Sequence, residues 1–199
     1  MLDTLIFLLI LFFSVIVHEV SHGYAALKNG DPTAKFMERL TLNPIPHMDP
    51  IGTILLPLLL IVFHSPILIG IAKPVPINPL NFRDYKKGMI SVGISGPLSN
   101  IILGIIFAFL CKITNSINLI GILKMASFIN FILAFFNLIP IPPLDGSRVI
   151  SVLLPYNLSI KYDRIERYGI FIIIFLAMIG LLNWLSPLSQ NLTNFFINL

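Results

Sequence analysis

Two histidines and a glutamate in the first apolar segment form the pattern His18-Glu19-Val20-Ser21-His22. Residues four positions apart share one face of a helix, so both imidazoles can reach a single metal ion, and Glu19 lies beside them where it can transfer a proton. A catalytic zinc ion usually takes three protein ligands and leaves a fourth position for water. The pattern therefore predicts a zinc-dependent hydrolase whose third ligand comes from another part of the chain.

Asp145 is the candidate for this third ligand. It lies in the loop sequence Asn137-Leu-Ile-Pro-Ile-Pro-Pro-Leu-Asp145-Gly146, directly after the fourth apolar segment. The prolines end the preceding helix, and Gly146 permits a tight turn that can direct the carboxylate inward. The side-chain amide of Asn137 lies near this loop and can either stabilise the oxyanion of the reaction or cap the helix end.

The composition places these residues in a membrane protein. Of the 199 residues, 56% are hydrophobic and only 11% are charged, and the mean hydropathy is +0.92. A soluble domain of this size is far less apolar. The 13 Lys and Arg residues occur singly between apolar runs, so we expect no nucleic-acid partner. We predict a single domain, residues 1–199, with a catalytic core of about residues 10–150.

Five apolar runs are near the roughly 20 residues that cross a bilayer core. They are residues 2–27, 51–72, 88–111, 117–139 and 168–186. The first run has no basic segment before it and no small-residue cleavage site after it, so we expect it to stay in the mature protein. Pro57, His64 and Pro66 interrupt the second run. Because proline breaks helical hydrogen bonding, we expect this run to enter and leave the membrane by the same face.

Charge and ligand placement both favour this re-entry. It leaves only Lys112 and Lys124 on one side of the membrane and the other eleven basic residues on the opposite side, which the positive-inside rule makes cytoplasmic. The first and fourth spans then run parallel, which brings the His18 and Asp145 ends to the same side and depth. We predict an all-α integral membrane protein, a polytopic helical bundle of about 4–5 spans with a re-entrant segment and the zinc site toward the cytoplasm.

Several other polar residues have more than one interpretation. Residues 35–43 (KFMERLTLN) alternate partly in polarity and can form a short β-hairpin whose edge pairs with an unwound substrate. His47 can be a ligand, a substrate contact or a turn residue, and turn formation is favoured for Asp49. His64 stands alone in an apolar run, so we exclude it from the site. We interpret Cys111, the only cysteine, as an apolar core thiol.

The middle span carries Gly93-Ile-Ser-Gly96-Pro97-Leu-Ser-Asn100. The small residues allow neighbouring helices to approach closely. The Asn100 amide needs a hydrogen-bond partner in lipid, and we expect it on the helices next to the site.

Taken together, the three segments resemble the site-2 protease family of intramembrane zinc metalloproteases. The signatures of that family are HExxH, a segment similar to N-P-x-x-P-L-D-G, and a middle span with glycine, proline and asparagine. The resemblance covers roughly residues 10–150 and implies His18, His22 and Asp145 as zinc ligands and Glu19 as catalytic base. This chain has Leu138 where the family often has proline.

We therefore predict an endopeptidase that uses one Zn²⁺ per chain to cleave locally unwound transmembrane protein substrates within the lipid bilayer of a prokaryotic cell membrane. One alternative is a membrane metal-binding or transport protein, which would place acidic or histidine residues along successive spans. Another is a proteolytically silent membrane adaptor, which usually lacks the base or a ligand. Both Glu19 and the three predicted ligands are present, which favours the protease.

Overall fold

The computed structural model describes residues 2–49, 52, 55, 59, 62 and 73–199. Eight α-helices have both ends among these residues, and none of these residues lies in a β-strand. The helices are α1 (Leu2–Lys28), α2 (Thr33–Phe36), α3 (Tyr85–Ile113), α4 (Ile117–Asn137), α5 (Asp145–Leu153), α6 (Tyr156–Asp163), α7 (Glu166–Met178) and α8 (Leu185–Asn198). Two 3₁₀ turns cover Ile45–His47 and Pro79–Asn81.

Among the described residues, three helices, α1, α3 and α4, are long and apolar enough to cross a membrane. The all-helical, membrane-integral part of the prediction is therefore confirmed. The predicted fifth span, residues 168–186, is not one helix, because α7 ends at Met178 and Gly180 turns the chain with a φ of 77° before α8 begins. The 13 residues of α7 span about 20 Å, less than the bilayer core. The predicted re-entrant run, residues 51–72, lies outside the described residues apart from four isolated positions.

Local sequence signals set the helix ends that matter for the site. Asn29 and Gly30 end α1, and Gly30 has a φ of 111°, a conformation that glycine adopts without strain. The side chain of Asp84 caps α3 by accepting a hydrogen bond from the Lys87 backbone N–H at 3.0 Å. The Arg83 N–H donates to the Asn29 carbonyl at 2.9 Å, so the end of α1 and the start of α3 are adjacent.

The central helix is α3, which packs against α1, α4, α5 and α8. Its glycines permit the close approach that the sequence predicts. A Cβ at Gly104 would lie 3.1 Å from the Phe131 ring of α4, and a Cβ at Gly93 would lie 3.0 Å from the Asp145 carbonyl of α5. Dispersion contacts and close backbone approach, rather than expulsion of water, hold such helices together in lipid.

The predicted hairpin over residues 35–43 is not confirmed. These residues form the end of α2 and a series of turns, and Glu38 has a φ of 53°. The backbone is satisfied locally, for example by the Arg39 N–H donating to the Ala34 carbonyl at 2.9 Å. Turns that satisfy their own backbone leave no extended edge for strand pairing.

The fully buried Asp31 joins the end of α1 to the segment that precedes α3. Its carboxylate accepts hydrogen bonds from the Thr33 N–H at 3.1 Å, the Asn78 N–H at 2.7 Å and the Asn81 side-chain amide at 2.8 Å. Burial alone would raise the pKa of Asp31, but these hydrogen bonds outweigh burial and lower the pKa below its usual value.

We expect Asp31→Asn to destabilise the fold by about 2 kcal/mol at neutral pH, because one amide group cannot accept all of these hydrogen bonds. The lowered pKa means that the native carboxylate stabilises the fold above its unfolded pKa of about 3.9, and that this stabilisation is lost as the pH falls through the folded value. Thermal unfolding in detergent at pH 7 and at pH 3 measures both effects. The exposed Asp163→Asn is the control, and an equal loss of stability in both variants would contradict the role of Asp31.

Candidate metal centre

Three side-chain atoms from two distant parts of the chain meet at one point. His18 Nε2 lies 2.9 Å from Asp145 Oδ2, His22 Nε2 lies 3.1 Å from the same oxygen, and the two Nε2 atoms are 3.0 Å apart. All three residues are buried. Ligand atoms around a tetrahedral zinc with bonds of about 2.0–2.1 Å are separated by about 3.3 Å. The triangle therefore has nearly the size that a zinc ion requires.

The hydrogen-bond partners of the two Nδ1 atoms suit this triangle to a metal ion. The Val92 carbonyl, 2.8 Å away, can only accept, so His22 Nδ1 carries a proton, and in the neutral ring Nε2 then presents a lone pair. His18 Nδ1 likewise faces an acceptor, Asn100 Oδ1, at 2.6 Å. With both imidazoles neutral, two nitrogen lone pairs and a carboxylate oxygen face one another. Such groups repel unless a cation lies between them, so the donor set fits a metal ion.

Asp145 is ionised whether a proton or a metal ion occupies the triangle. Burial alone would raise the pKa of Asp145, but a proton on a facing Nε2 atom of His18 or His22 outweighs burial and holds the pKa well below its usual range, and a metal ion in place of that proton would supply the same positive charge. Arg148, one turn further along α5, adds a weak ion pair to Asp145 Oδ1 at 4.0 Å. The group therefore faces the imidazoles as a carboxylate.

Glu19 is the second carboxylate at the site, and its position differs from that of Asp145. Ligand atoms of His18, Glu19 and His22 lie within 4.8 Å of one another, so Glu19 is also within reach of a shared ion. Its Oε2, however, accepts a hydrogen bond from the Val75 N–H at 2.9 Å, whereas Asp145 faces both Nε2 atoms directly. The geometry thus separates a carboxylate suited to be a ligand from a carboxylate suited to be a base.

The segment that binds Glu19 is itself anchored. The buried Arg39 donates from Nη2 to the Lys73 carbonyl at 2.7 Å and to the Pro74 carbonyl at 3.3 Å. A Cβ at Gly23 of α1 would lie 2.9 Å from the Val75 side chain, so the segment packs closely against α1. A cavity of about 340 Å³ adjoins it, lined by Pro74, Val75, Ile77, Pro79, Met89, Val92 and Arg148.

The loop that presents Asp145 is packed from both sides. A Cβ at Gly146 would lie 2.2 Å from the Leu138 carbonyl, so only glycine fits beside the end of α4. On the other side, a Cβ at Gly169 of α7 would lie 1.8 Å from the Pro142 carbonyl, and the Tyr162 hydroxyl donates to the Pro140 carbonyl at 2.7 Å. The helices after the loop therefore help to fix the position of Asp145.

The other polar candidates from the sequence make local hydrogen bonds in this structure. The Asn137 amide donates to the Leu133 carbonyl at 2.9 Å, one turn back on its own helix. The fully buried His47 donates from Nε2 to the Thr41 carbonyl at 2.9 Å, and Asp49 Oδ1 accepts from the Gly52 N–H at 2.6 Å, as turn residues do. His64 is outside the described residues. Cys111 is buried, as expected.

Asn100 lies beside the centre, as the sequence predicts, but its partners were not foreseen. Its amide nitrogen donates to the Asn130 oxygen at 2.9 Å and to the Ser14 carbonyl at 3.2 Å. Asn130 is a polar residue within the fourth apolar run. Because polar residues inside a membrane are costly and usually functional, this position would have identified it. The close fit of Gly96 against the two histidines was also missed, because it depends on how α3 packs on α1.

Comparisons with known proteins identify related zinc metalloproteases. Residues 112–180 match the model of Peptidase family M50. The chain is 38% identical over 182 residues to "Putative zinc metalloprotease YwhC" of Bacillus subtilis, which covers 84% of this chain and 78% of that protein. It is 30% identical over 159 residues to "Zinc metalloprotease MJ0392" of Methanocaldococcus jannaschii, covering 79% of this chain and 36% of that protein. No solved structure matches the chain significantly.

These relatives and the apolar helices define the class as membrane zinc metalloproteases. The chain belongs to peptidase family M50, so the resemblance to the site-2 proteases is confirmed. Zinc is accordingly its cofactor, and peptide hydrolysis is its reaction.

Proposed function

We propose that the chain hydrolyses peptide bonds of transmembrane substrates within the lipid boundary, with zinc held by His18, His22 and Asp145. The observation that carries this proposal is the meeting of three donor atoms about 3 Å apart, two imidazole nitrogens from the membrane-length helix α1 and one carboxylate oxygen from the start of α5. Three ligands leave a fourth position for water, as catalytic zinc sites require.

Glu19 is the proposed general base. When bound, zinc acidifies a water molecule and polarises the scissile carbonyl. Glu19 accepts the proton of this water and then donates it to the departing amine. The Val75 N–H holds Oε2 of Glu19, which orients the carboxylate and leaves Oε1 for the proton.

Asn137 is the proposed donor to the oxyanion that develops on the scissile carbonyl. Its amide donates to the Leu133 carbonyl in this structure, which corresponds to the helix-end alternative. An oxyanion role requires this bond to be exchanged when substrate binds. That exchange is inexpensive because α4 extends to Asn137, so the Leu133 carbonyl keeps its helical partner, the backbone N–H four residues on, when the side chain leaves.

The substrate must unwind locally, because a helix hides its carbonyls in its own hydrogen bonds. We propose that the cavity of about 340 Å³ beside Val75 receives the unwound segment. The cavity is lined by Val75, which binds Glu19, and by Val92, whose carbonyl orients His22, so a chain bound there lies next to the base and the metal ligands.

The zinc site is proposed to lie toward the cytoplasmic side of a prokaryotic cell membrane, on the basis of the positive-inside rule. The bond from the Arg83 N–H to the Asn29 carbonyl supports the re-entrant proposal for residues 51–72, because the chain between α1 and α3 starts and finishes at the same end of the bundle. The chain can return to the same end of the bundle by a re-entry or by an even number of membrane crossings, but not by a single crossing.

A pair of membrane-embedded reporters tests the proposed activity. One reporter carries Gly-Gly at the centre of its span, and the other carries Leu-Leu at the same place. Because two glycines weaken a helix by about 1.5 kcal/mol relative to leucine, the purified chain in proteoliposomes should cleave the Gly-Gly reporter roughly tenfold faster. Cleavage products analysed by mass spectrometry should locate the cut inside the span. Stoichiometric zinc without cleavage of either reporter would instead favour the metal-binding alternative.

A further inference from the structure

We infer that Asn130 is a positioning residue for the metal centre: through Asn100 it holds His18 in the tautomer that leaves Nε2 free for the metal. This inference rests on the proposed ligand role of His18. It concerns a fully buried row of side chains, Ser14 on α1, Asn100 on α3 and Asn130 on α4, which lies behind His18 on the side away from the metal triangle.

The orientation of Asn130 is fixed by backbone. Its amide nitrogen lies 2.9 Å from the Ala126 carbonyl, which can only accept, so the nitrogen must be on that side. The same nitrogen donates to the Ser14 hydroxyl at 2.9 Å. The Asn130 oxygen must therefore point at Asn100, where it accepts from the Asn100 nitrogen at 2.9 Å.

The orientation of Asn100 follows from that of Asn130. Its nitrogen meets two acceptors, the Asn130 oxygen and the Ser14 carbonyl, the latter at 3.2 Å. Turning the Asn100 amide over would place its oxygen against both acceptors and leave its nitrogen facing His18. The Asn100 oxygen is thus directed to His18 Nδ1 at 2.6 Å.

The fixed orientation of Asn100 determines the tautomer of the proposed metal ligand His18. An imidazole whose Nδ1 faces a fixed acceptor keeps its proton there, and Nε2 then bears the lone pair that a metal needs. His22 obtains the same tautomer directly from the Val92 carbonyl. His18 has a side-chain acceptor instead, which could rotate, and Asn130 is the group that prevents this rotation. Outer hydrogen-bond partners of this kind typically contribute 10–100-fold to metal affinity.

Zinc affinity tests the inference independently of catalysis. Asn130→Leu keeps a similar volume but removes both the acceptor toward Asn100 and the donors, so the zinc dissociation constant, measured by competition with a chromophoric chelator in detergent, should rise about tenfold. The absorption bands of the Co²⁺-loaded variant should shift relative to the native protein. The matched control is Ser127→Ala, which removes another fully buried hydrogen bond on α4, to Thr193, outside this row. Its zinc affinity and Co²⁺ spectrum should stay native.

A second measurement on the native chain keeps the inference testable if Asn130→Leu does not fold. Nuclear magnetic resonance of ¹⁵N-histidine-labelled, zinc-loaded protein should find His18 protonated at Nδ1, with the signal assigned by its loss in His18→Gln. Native zinc affinity in folded Asn130→Leu would overturn the inference while leaving the proposed function intact. Protonation of His18 at Nε2 in the zinc-loaded protein would overturn both, because that atom could not then be a zinc ligand. A native chain that binds no zinc would overturn both.

Discussion

Glu19→Gln should bind zinc with native stoichiometry and yet cleave a membrane-embedded reporter about a thousandfold more slowly. A glutamine amide has the shape of the carboxylate and can still accept the Val75 N–H bond, but it cannot take a proton from water. Loss of a positioned general base typically costs 10²–10⁴-fold in rate. Single-turnover cleavage in proteoliposomes measures the rate, and elemental analysis of the purified protein measures the zinc.

Two further variants serve as controls for Glu19→Gln. His22→Ala should lose both zinc and cleavage, because it removes a proposed ligand, whereas the exposed Glu166→Gln should resemble the native chain in both measurements. If Glu19→Gln cleaved at the native rate, the general-base role would have to be abandoned. If it lost zinc as His22→Ala does, Glu19 would instead belong with the metal ligands.

Gly96→Ala should weaken zinc binding by at least tenfold and slow cleavage by about a hundredfold, although the substitution adds only one methyl group. Its Cβ would lie 2.6 Å from ring atoms of both His18 and His22, so the imidazoles or α3 itself must move. A displacement of about 1 Å at a reactive site costs on the order of 10²-fold in rate, and disturbed ligand geometry lowers metal affinity.

The control for Gly96→Ala is Gly121→Ala. Gly121 also lies in a membrane-length helix, α4, but nothing is within 4 Å of its added Cβ. Gly121→Ala should therefore keep native zinc affinity and activity. Equal behaviour of the two alanine variants in chelator competition would mean that the close fit at Gly96 does not determine the geometry of the centre.

The sequence singles out the two histidines and Asp145 as candidate ligands because their signals are local. The spacing of His18 and His22 fixes their common helix face, and the proline-rich loop with Gly146 identifies the Asp145 turn. The structure brings all three together. Bringing them together also needs parallel first and fourth spans, which the charge distribution supported independently.

Other features depend on tertiary contacts that composition does not encode. Hydropathy runs almost unchanged across Gly180, so the division of the fifth run into α7 and α8 is not visible in it, whereas the positive φ of Gly180 produces the turn. The bond between Glu19 and the Val75 N–H joins residues 56 positions apart. This bond depends on Arg39, which anchors the segment that contains Val75. Residues 35–43 form turns instead of the expected strand because their backbone groups are satisfied locally, for example by the bond from the Arg39 N–H to the Ala34 carbonyl.

The hydrogen bond between Arg83 and Asn29 joins the two ends of the segment that connects α1 to α3, here called the excursion. Asp31 strengthens this closure through Asn78 and Asn81, so the catalytic helices meet independently of how much polypeptide the excursion contains. Loop-closure entropy grows only slowly with length, so extra sequence inserted there costs little stability. New substrate-sorting sequence can thus be attached within this segment without rebuilding the hydrolytic machinery, provided that Arg39 and Val75, which together hold Glu19, keep their places.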